Sequence, residues 1–350
     1  MTWGKQDLEK TTYVPIQYDP ECPFKYNNFV YSITLSRPLT SPEDVKTEHS
    51  DGQLRQQQPQ PEPQPQPGSV GIPVGTRDLI LRISNPDAEG MHSATRVENE
   101  VAILNLASAA LRHVEPAVVP RVFAWGSAST AGSLGWILQE RMRGAPVNED
   151  FGAMSLEQKL GIVTQMAEIL KALQDYKLPE GITGWGGATF DGQGRIVSAG
   201  MPSVGSGPWG SFEDSYRGRL HTAIQRADAN PYIQGWRANG VRERLDAFIE
   251  RGLPAQFAAL AFKSDRVIVH ADFTTNNLLY DAFSHRITAL LDYDFAAILH
   301  PAYEFLRSFD GAGGQLRGWS GDESSEDATL RQAKLEGRFP SPLPANSDAI

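Results

Sequence analysis

The stretch VIVHADFTTNNLLY, residues 267–280, leaves an apolar run at His270, places Asp272 two residues later, pairs asparagines at 276 and 277, and then turns apolar again. The run RITALL, residues 286–291, ends at Asp292, with Tyr293 and Asp294 behind it. Residues 267–270 read as a short strand, and 278–280 and 286–291 as two more around a turn at 281–285. If those two pair as a hairpin, Asn277 enters the first strand and Asp292 leaves the second. Antiparallel pairing then sets the two ends side by side. A carboxylate and an amide carbonyl at one edge are hard oxygen donors suited to Mg²⁺, which keeps several waters and also binds substrate phosphates. Asp272 lies just ahead of Asn277, close enough to act on a nucleophile brought to such a phosphate.

The rest of the chain frames this segment. Residues 1–21 read as a polar arm and 26–35 as a strand. QQQPQPEPQPQPG, residues 56–68, cannot build a core and reads as the centre of an extended insertion, about residues 51–70, in a hairpin connection. DLILRIS (78–84) reads as a strand. A helix follows over 96–113, with Val97, Val101, Leu104, Ala107 and Leu111 on one face. Residues 120–125 and 135–141 read as further strands. Ser155 and Gln158 form a capping-box signal opening a helix in which Leu156, Leu160, Val163, Ala167 and Leu170 share a face. More helix is expected at about 211–225 and 240–262, and a disordered tail over 321–350.

Composition narrows the function classes. The 350 residues are 40% hydrophobic and carry a net charge of −10, from 32 basic and 42 acidic side chains. That balance argues against nucleic acid as a partner and leaves a basic or neutral small molecule compatible. Cys22 is the one cysteine, so neither an internal disulfide nor a cysteine zinc cluster can form. The N-terminal residues contain no apolar run of signal-peptide length, and nothing approaches the about 20 apolar residues that span a bilayer. A soluble, cytoplasmic protein without a membrane partner is the expectation. No G-x-x-x-x-G-K-[ST] or G-x-G-x-x-G occurs, so P-loop and dinucleotide folds have no support.

The pattern His270-x-Asp272-x-x-x-x-Asn277, followed after a strand by Asp292, matches the kinase logic of a catalytic-loop aspartate and two metal-holding groups. Over roughly residues 22–320 the chain resembles the aminoglycoside phosphotransferase and choline kinase-like family, and its fungal members in particular. These are small-molecule kinases with a protein kinase-like fold. The resemblance implies an α+β, two-lobed architecture. An N-lobe (22–142) of antiparallel sheet plus helix would bind ATP. A mainly helical C-lobe (143–320) would hold the catalytic hairpin and a small-molecule acceptor hydroxyl. By the same resemblance Asp272 would be the catalytic base or the group that orients the substrate, His270 would brace its loop, and Asn277 and Asp292 would hold Mg²⁺. Arg82 stands where protein kinases have a phosphate-binding lysine, paired with Glu100, with Glu98 the rival partner. Backbone groups around Glu140 and Met142 would meet the adenine. Asp294 reads either as a further metal or substrate contact or as a capped, solvated carboxylate.

Two departures from the family pattern stand out. The phosphate-covering loop, expected near KYNNFVYS (25–32), has no glycine, so Asn27 and Asn28 would supply the turn. Less helix follows the motif region than the family pattern carries. These departures motivate a pseudokinase that binds a nucleotide or a partner without turnover. A metal-dependent hydrolase using His270, Asp272, Asp292 and Asp294 is the other alternative. Neither the acceptor's identity nor the oligomeric state is legible.

Overall fold

The computed structural model describes residues 11–16, 26–40, 66–88, 90–129, 133–233, 235–309, 324–339 and 341. Most of the glutamine–proline insertion therefore lies outside the described residues. A five-stranded antiparallel sheet has the order β1-β2-β3-β5-β4. Its strands are β1 (Thr12–Pro15), β2 (Asn28–Thr34), β3 (Asp78–Ser84), β4 (Val122–Gly126) and β5 (Trp136–Glu140). Helix α1 (Ser93–Ala110) connects β3 to β4 and buries Val97, Val101, Leu104 and Ala107, the face read from the sequence. Ile33, Leu35, Leu79 and Phe123 close a small core of their own on this sheet.

The chain leaves the sheet through residues 141–144 and enters β6 (Ala145–Pro146), which pairs with the hairpin that follows Asn277. Gly144 makes that approach possible. Its φ is 126°, and a Cβ there would sit 2.7 Å from the Tyr280 carbonyl oxygen. The hairpin is β10 (Leu278–Asp281) and β11 (Arg286–Leu290), with Leu278 opposite Leu290. Strand β9 (Val267–Val269) pairs with β12 (Ala297–Leu299), and β7 (Gly187–Phe190) with β8 (Ile196–Ala199). Around them lie α2 (Val147–Phe151), α3 (Leu156–Asp175), α4 (Phe212–Ala229), α5 (Gly235–Ala238), α6 (Val241–Ala247), α7 (Leu253–Ala259), α8 (Ala302–Arg307) and α9 (Glu326–Glu336). One apolar core runs from α1 through α3 to Phe273, Leu278, Leu290 and Tyr293 beside the catalytic loop. The arrangement is the α+β, two-lobed kinase-like architecture expected from the sequence.

Several expectations change. Residues 12–15, assigned to a polar arm, form β1 and pair with β2. Residues 66–70, at the edge of the insertion, are pinned: the Val70 amide donates to Val122 O, and the Asn105 side chain donates to Gly68 O. The tail over 321–350 includes helix α9, started by Ser325 as its cap, with Ala328, Leu330 and Ala333 buried. The helix expected at 240–262 is split into α6 and α7 by a wide π turn at Phe248–Gly252. Among the described residues no helix is long and apolar enough to cross a membrane.

Helix α3 has the predicted capping box, with Gln158 N donating to Ser155 Oγ at 3.2 Å and Ser155 N to Gln158 Oε1 at 2.8 Å. Its buried face is the other one. Ile162, Met166, Ile169 and Leu173 enter the core, whereas Leu156 is 73% and Leu160 58% exposed. Both sets have helical spacing, so periodicity alone could not choose between them. Ile162→Ala should therefore cost about 2–5 kcal/mol of unfolding free energy. Leu160→Ala should stay within about 0.5 kcal/mol of the parent protein. Denaturant titration of the two variants checks this, and equal losses would reverse the assignment of the face.

Candidate functional site

The loop that carries Asp272 is built by three elements. His270 leaves β9 fully buried, and its Nε2 meets Leu291 O at 2.9 Å. The neutral ring therefore carries its proton on Nε2 and donates it to that carbonyl. Burial pushes its pKa down from the ordinary histidine range to about 4. His270 thus braces the loop, as expected. Glu304 lies in the first turn of α8. In the structure its buried carboxylate accepts the His270 amide at 2.7 Å and the Ala271 amide at 2.8 Å, and also the Ser308 hydroxyl. Ser308 Oγ in turn accepts the Phe273 amide at 2.9 Å. Helix α8 and the residue that ends it thus fix three backbone amides around Asp272, those of His270, Ala271 and Phe273.

Asn277 donates Nδ2 to Asp272 Oδ2 at 2.8 Å and to Asp272 O at 2.9 Å. That spends its donor and leaves its side-chain oxygen as the group available to a cation. The Leu291 amide donates to Asn277 O at 2.8 Å, extending the hairpin by one rung and placing Asp292 beside Asn277. The side-by-side ends inferred from the hairpin are present. Asp292 has φ 61°, a left-handed turn that lifts its side chain off the strand.

Behind these residues lies a buried charge network. Arg82, on β3, pairs with Glu100 of α1 and reaches Asp292 at 2.8 Å and Asp294 at 3.4 Å. Arg96, which sequence reading missed, pairs with Asp294 at 3.2 Å. Asn28 donates to Asp294 Oδ2 at 2.7 Å and accepts from Arg96 at 3.1 Å. Burial works against the charge on Arg82, but Glu100, Asp294 and Asp292 outweigh it and hold the guanidinium firmly protonated. Burial pushes Glu100 up to about 8 despite Arg82, since that cation is shared among three carboxyl groups. Asp292 is pushed up to about 6 by the surrounding low-dielectric walls and by Asp294, with Arg82 opposing. For Asp294, burial is outweighed by Arg82 and Arg96, which hold its carboxyl below the usual carboxylate range.

The remaining predicted residues divide. Glu100, not Glu98, is the partner of Arg82. Asp294 is 3% exposed and doubly ion-paired, so the solvated reading is wrong; its oxygens are committed to Arg82, Arg96 and Asn28 rather than open to a metal. Residues 28–32 form strand β2 instead of a loop, and neither Asn27 nor Asn28 adopts a positive φ. Asn28 is 7% exposed and is used in the charge network, so it cannot also serve as a turn over phosphates. The Glu140 side chain pairs with Arg121 at 2.7 Å, and its amide donates to Arg121 O at 2.9 Å. The Met142 backbone has no hydrogen-bond partner among the described residues.

The donor set suits Mg²⁺. Three carboxyl groups, Glu100, Asp292 and Asp294, face two guanidiniums, Asp272 is held by Asn277, and the half-exposed Asp292 lies beside the side-chain oxygen of Asn277. Among the described residues no group of three or more His, Cys, Asp or Glu could hold a metal alone. Two protein oxygens completed by water and phosphate is the coordination that Mg²⁺ favours.

The chain belongs to the phosphotransferase enzyme family (APH), whose model matches residues 72–342. No curated protein matches it. Solved structures similar to it include a thermostable mutant of aminoglycoside phosphotransferase APH(4)-Ia in ternary complex with ADP and hygromycin B. That structure is 17% identical, with a TM-score of 0.43, and the match covers 84% of this chain and 70% of that one. A Plasmodium vivax ethanolamine kinase is 12% identical, with a TM-score of 0.46 and coverage of 94% and 68%. A putative aminoglycoside phosphotransferase from Ralstonia eutropha is 13% identical, with a TM-score of 0.43 and coverage of 93% and 75%.

His270 gives the site a pH signature. The folded ring titrates at about 4 and the unfolded ring at about 6.5, so the unfolded state binds the proton more tightly. The stability contributed is complete above about pH 6.5 and is lost as pH falls toward 4, by about 3 kcal/mol in all. His270→Gln keeps a donor for Leu291 O. It should lower stability at pH 7.5 and flatten the loss between pH 6.5 and 4. Denaturant midpoints across that range test this, and an unchanged acid limb would show that the ring is not buried neutral.

Proposed function

We propose that this protein transfers the γ-phosphoryl group of ATP to a hydroxyl of a small molecule. The observation that carries the reading is the junction of Asp272, Asn277 and Asp292 at one end of the hairpin, backed by the Arg82–Glu100 pair. Family membership supports the same reaction class. Asn277 and Asp292 would hold Mg²⁺, which when bound neutralises phosphate charge.

The chain's own residues do the rest. Arg82, 2.8 Å from Asp292, holds that carboxylate beside Asn277 and would meet nucleotide phosphate oxygens only by giving up one of its carboxyl partners. The backbone at Met142 would take the adenine edge. Asp272, oriented by Asn277, accepts the proton of the acceptor hydroxyl as the oxygen bonds to the γ-phosphorus and the bond to the ADP oxygen breaks. There is little covalent chemistry for the protein to perform, so positioning and charge stabilisation dominate. Of the glycine-free segment that motivates the pseudokinase alternative, residues 28–32 form strand β2.

Asp272→Asn should lower phosphoryl transfer by about 10²–10⁴-fold, the usual weight of a positioned base, with ATP affinity nearly unchanged. Asp292→Ala should instead weaken Mg²⁺-dependent ATP binding. Calorimetric titration of ATP with and without Mg²⁺, beside ADP-release assays, separates the two effects. Wild-type behaviour in both variants would refute the assignment of roles.

A further inference from the structure

If Asp272 is the base of a phosphotransferase, the acceptor must approach it from the side opposite the nucleotide. Asn277 occupies the metal-facing side of its carboxylate. On the other side the loop carbonyl of Ala271 is met by Arg307, whose Nε lies 3.4 Å from it. The Arg307 guanidinium stacks 5.1 Å above the Phe295 ring and is otherwise exposed at the end of α8. One turn earlier on the same face of α8 is Tyr303, since residues four apart are neighbours on a helix. Over that ring, 4.2 Å from its centre, lies the guanidinium of Arg219 from α4, which also sits 5.1 Å from Tyr216. Arg219 Nη1 is buried and has no hydrogen-bond partner among the described residues.

Neither arginine has a carboxylate partner among the described residues, and the nearby acidic groups are committed elsewhere. Glu304 holds the catalytic loop, Glu213 pairs with Arg217 at 2.6 Å, and Asp214 closes on Ser211 at 2.6 Å. Two aromatic-backed guanidiniums therefore lie along one face of α8, Arg307 at the Ala271 carbonyl next to Asp272 and Arg219 over Tyr303 one turn earlier, in a chain whose overall charge is −10. Fixed guanidinium forks with unused donors recognise planar carboxylates and phosphates, and they repel ammonium groups.

We propose that Arg219 and Arg307 form an anchoring subsite for the acceptor, and that the acceptor is an anion, a hydroxyl-bearing carboxylate or phosphate ester, rather than an amine. The inference rests on the phosphotransferase reading above. It assigns specificity to local charge against the grain of the net charge, which alone leans toward a cationic acceptor. The aromatic supports hold the guanidiniums in place before substrate arrives, so little side-chain freedom is lost on binding.

The test uses the full chain in two stages. Calorimetry first measures Mg²⁺-dependent ATP binding to the wild-type protein and to Arg307→Gln, Arg219→Gln and Arg307→Lys, with thermal melts to verify folding. ADP release is then followed with D-glycerate, glycerol 3-phosphate, choline, ethanolamine and kanamycin as acceptors. The expected result is turnover with glycerate or glycerol 3-phosphate, the better of the two telling carboxylate from phosphate. KM for that acceptor should rise by about tenfold or more in Arg307→Gln, the loss of one charge-assisted contact, with ATP affinity unchanged and partial recovery in Arg307→Lys. Preference for choline, ethanolamine or kanamycin would overturn the proposal. So would indifference of the acid acceptor to both glutamine variants, or ATP binding without turnover of either acid. Absence of ATP binding would instead sink the phosphotransferase reading itself.

Discussion

The structure depends on a buried exchange of charge between Arg82, Arg96 and the carboxyl groups of Glu100, Asp292 and Asp294. These groups come from β3, α1 and the segment after the hairpin, and Asn28 adds β2. Taking such charges out of water costs several kcal/mol each, and only close pairing offsets it. Removing Arg82 strips Glu100 and Asp292 of the guanidinium they bond to, and the contacts run from β3 and α1 to the segment after the hairpin, so the lobes cannot drift apart without breaking the network. The arrangement also explains arginine at position 82. A lysine ammonium is a compact point charge, whereas a planar guanidinium presents five donors and can serve three carboxyl groups at once.

That network also shows what sequence could and could not reveal. The catalytic hairpin was legible because its polar residues interrupt two apolar strands within a short span, and strand pairing then fixes which ends meet. Arg82 and Glu100 were legible by resemblance. Arg96, Asn28 and Glu304 were not, because each gains meaning from a partner far along the chain: Asp294 for the first two, the His270 and Ala271 amides for the third. A buried arginine inside an amphipathic helix and a surface arginine look alike in one dimension. The wrong face chosen for α3 has a similar origin, since two apolar stripes satisfy one period and only the neighbouring core decides.

Two non-glycine residues at the site adopt left-handed backbone, Ala271 at φ 62° and Asp292 at φ 61°. Alanine has no side-chain hydrogen bond to compensate for that conformation, and such positions typically cost about 1–3 kcal/mol. They persist where the surroundings over-determine them. At Ala271 the determinants are Glu304 on its amide and Arg307 on its carbonyl. At Asp292 they are the Leu291 amide bonded to Asn277 O and the Arg82 fork on its carboxylate. Each turn flanks one end of the segment that presents Asp272 and Asn277. The strain therefore sits where backbone direction has to reverse to aim polar groups out of an apolar hairpin, and the side chains that hold it are drawn from α8 on one side and β3 on the other. The proposed phosphoryl transfer would need that double anchoring, because a loop fixed at only one end would let Asp272 swing out of line with the reacting oxygen.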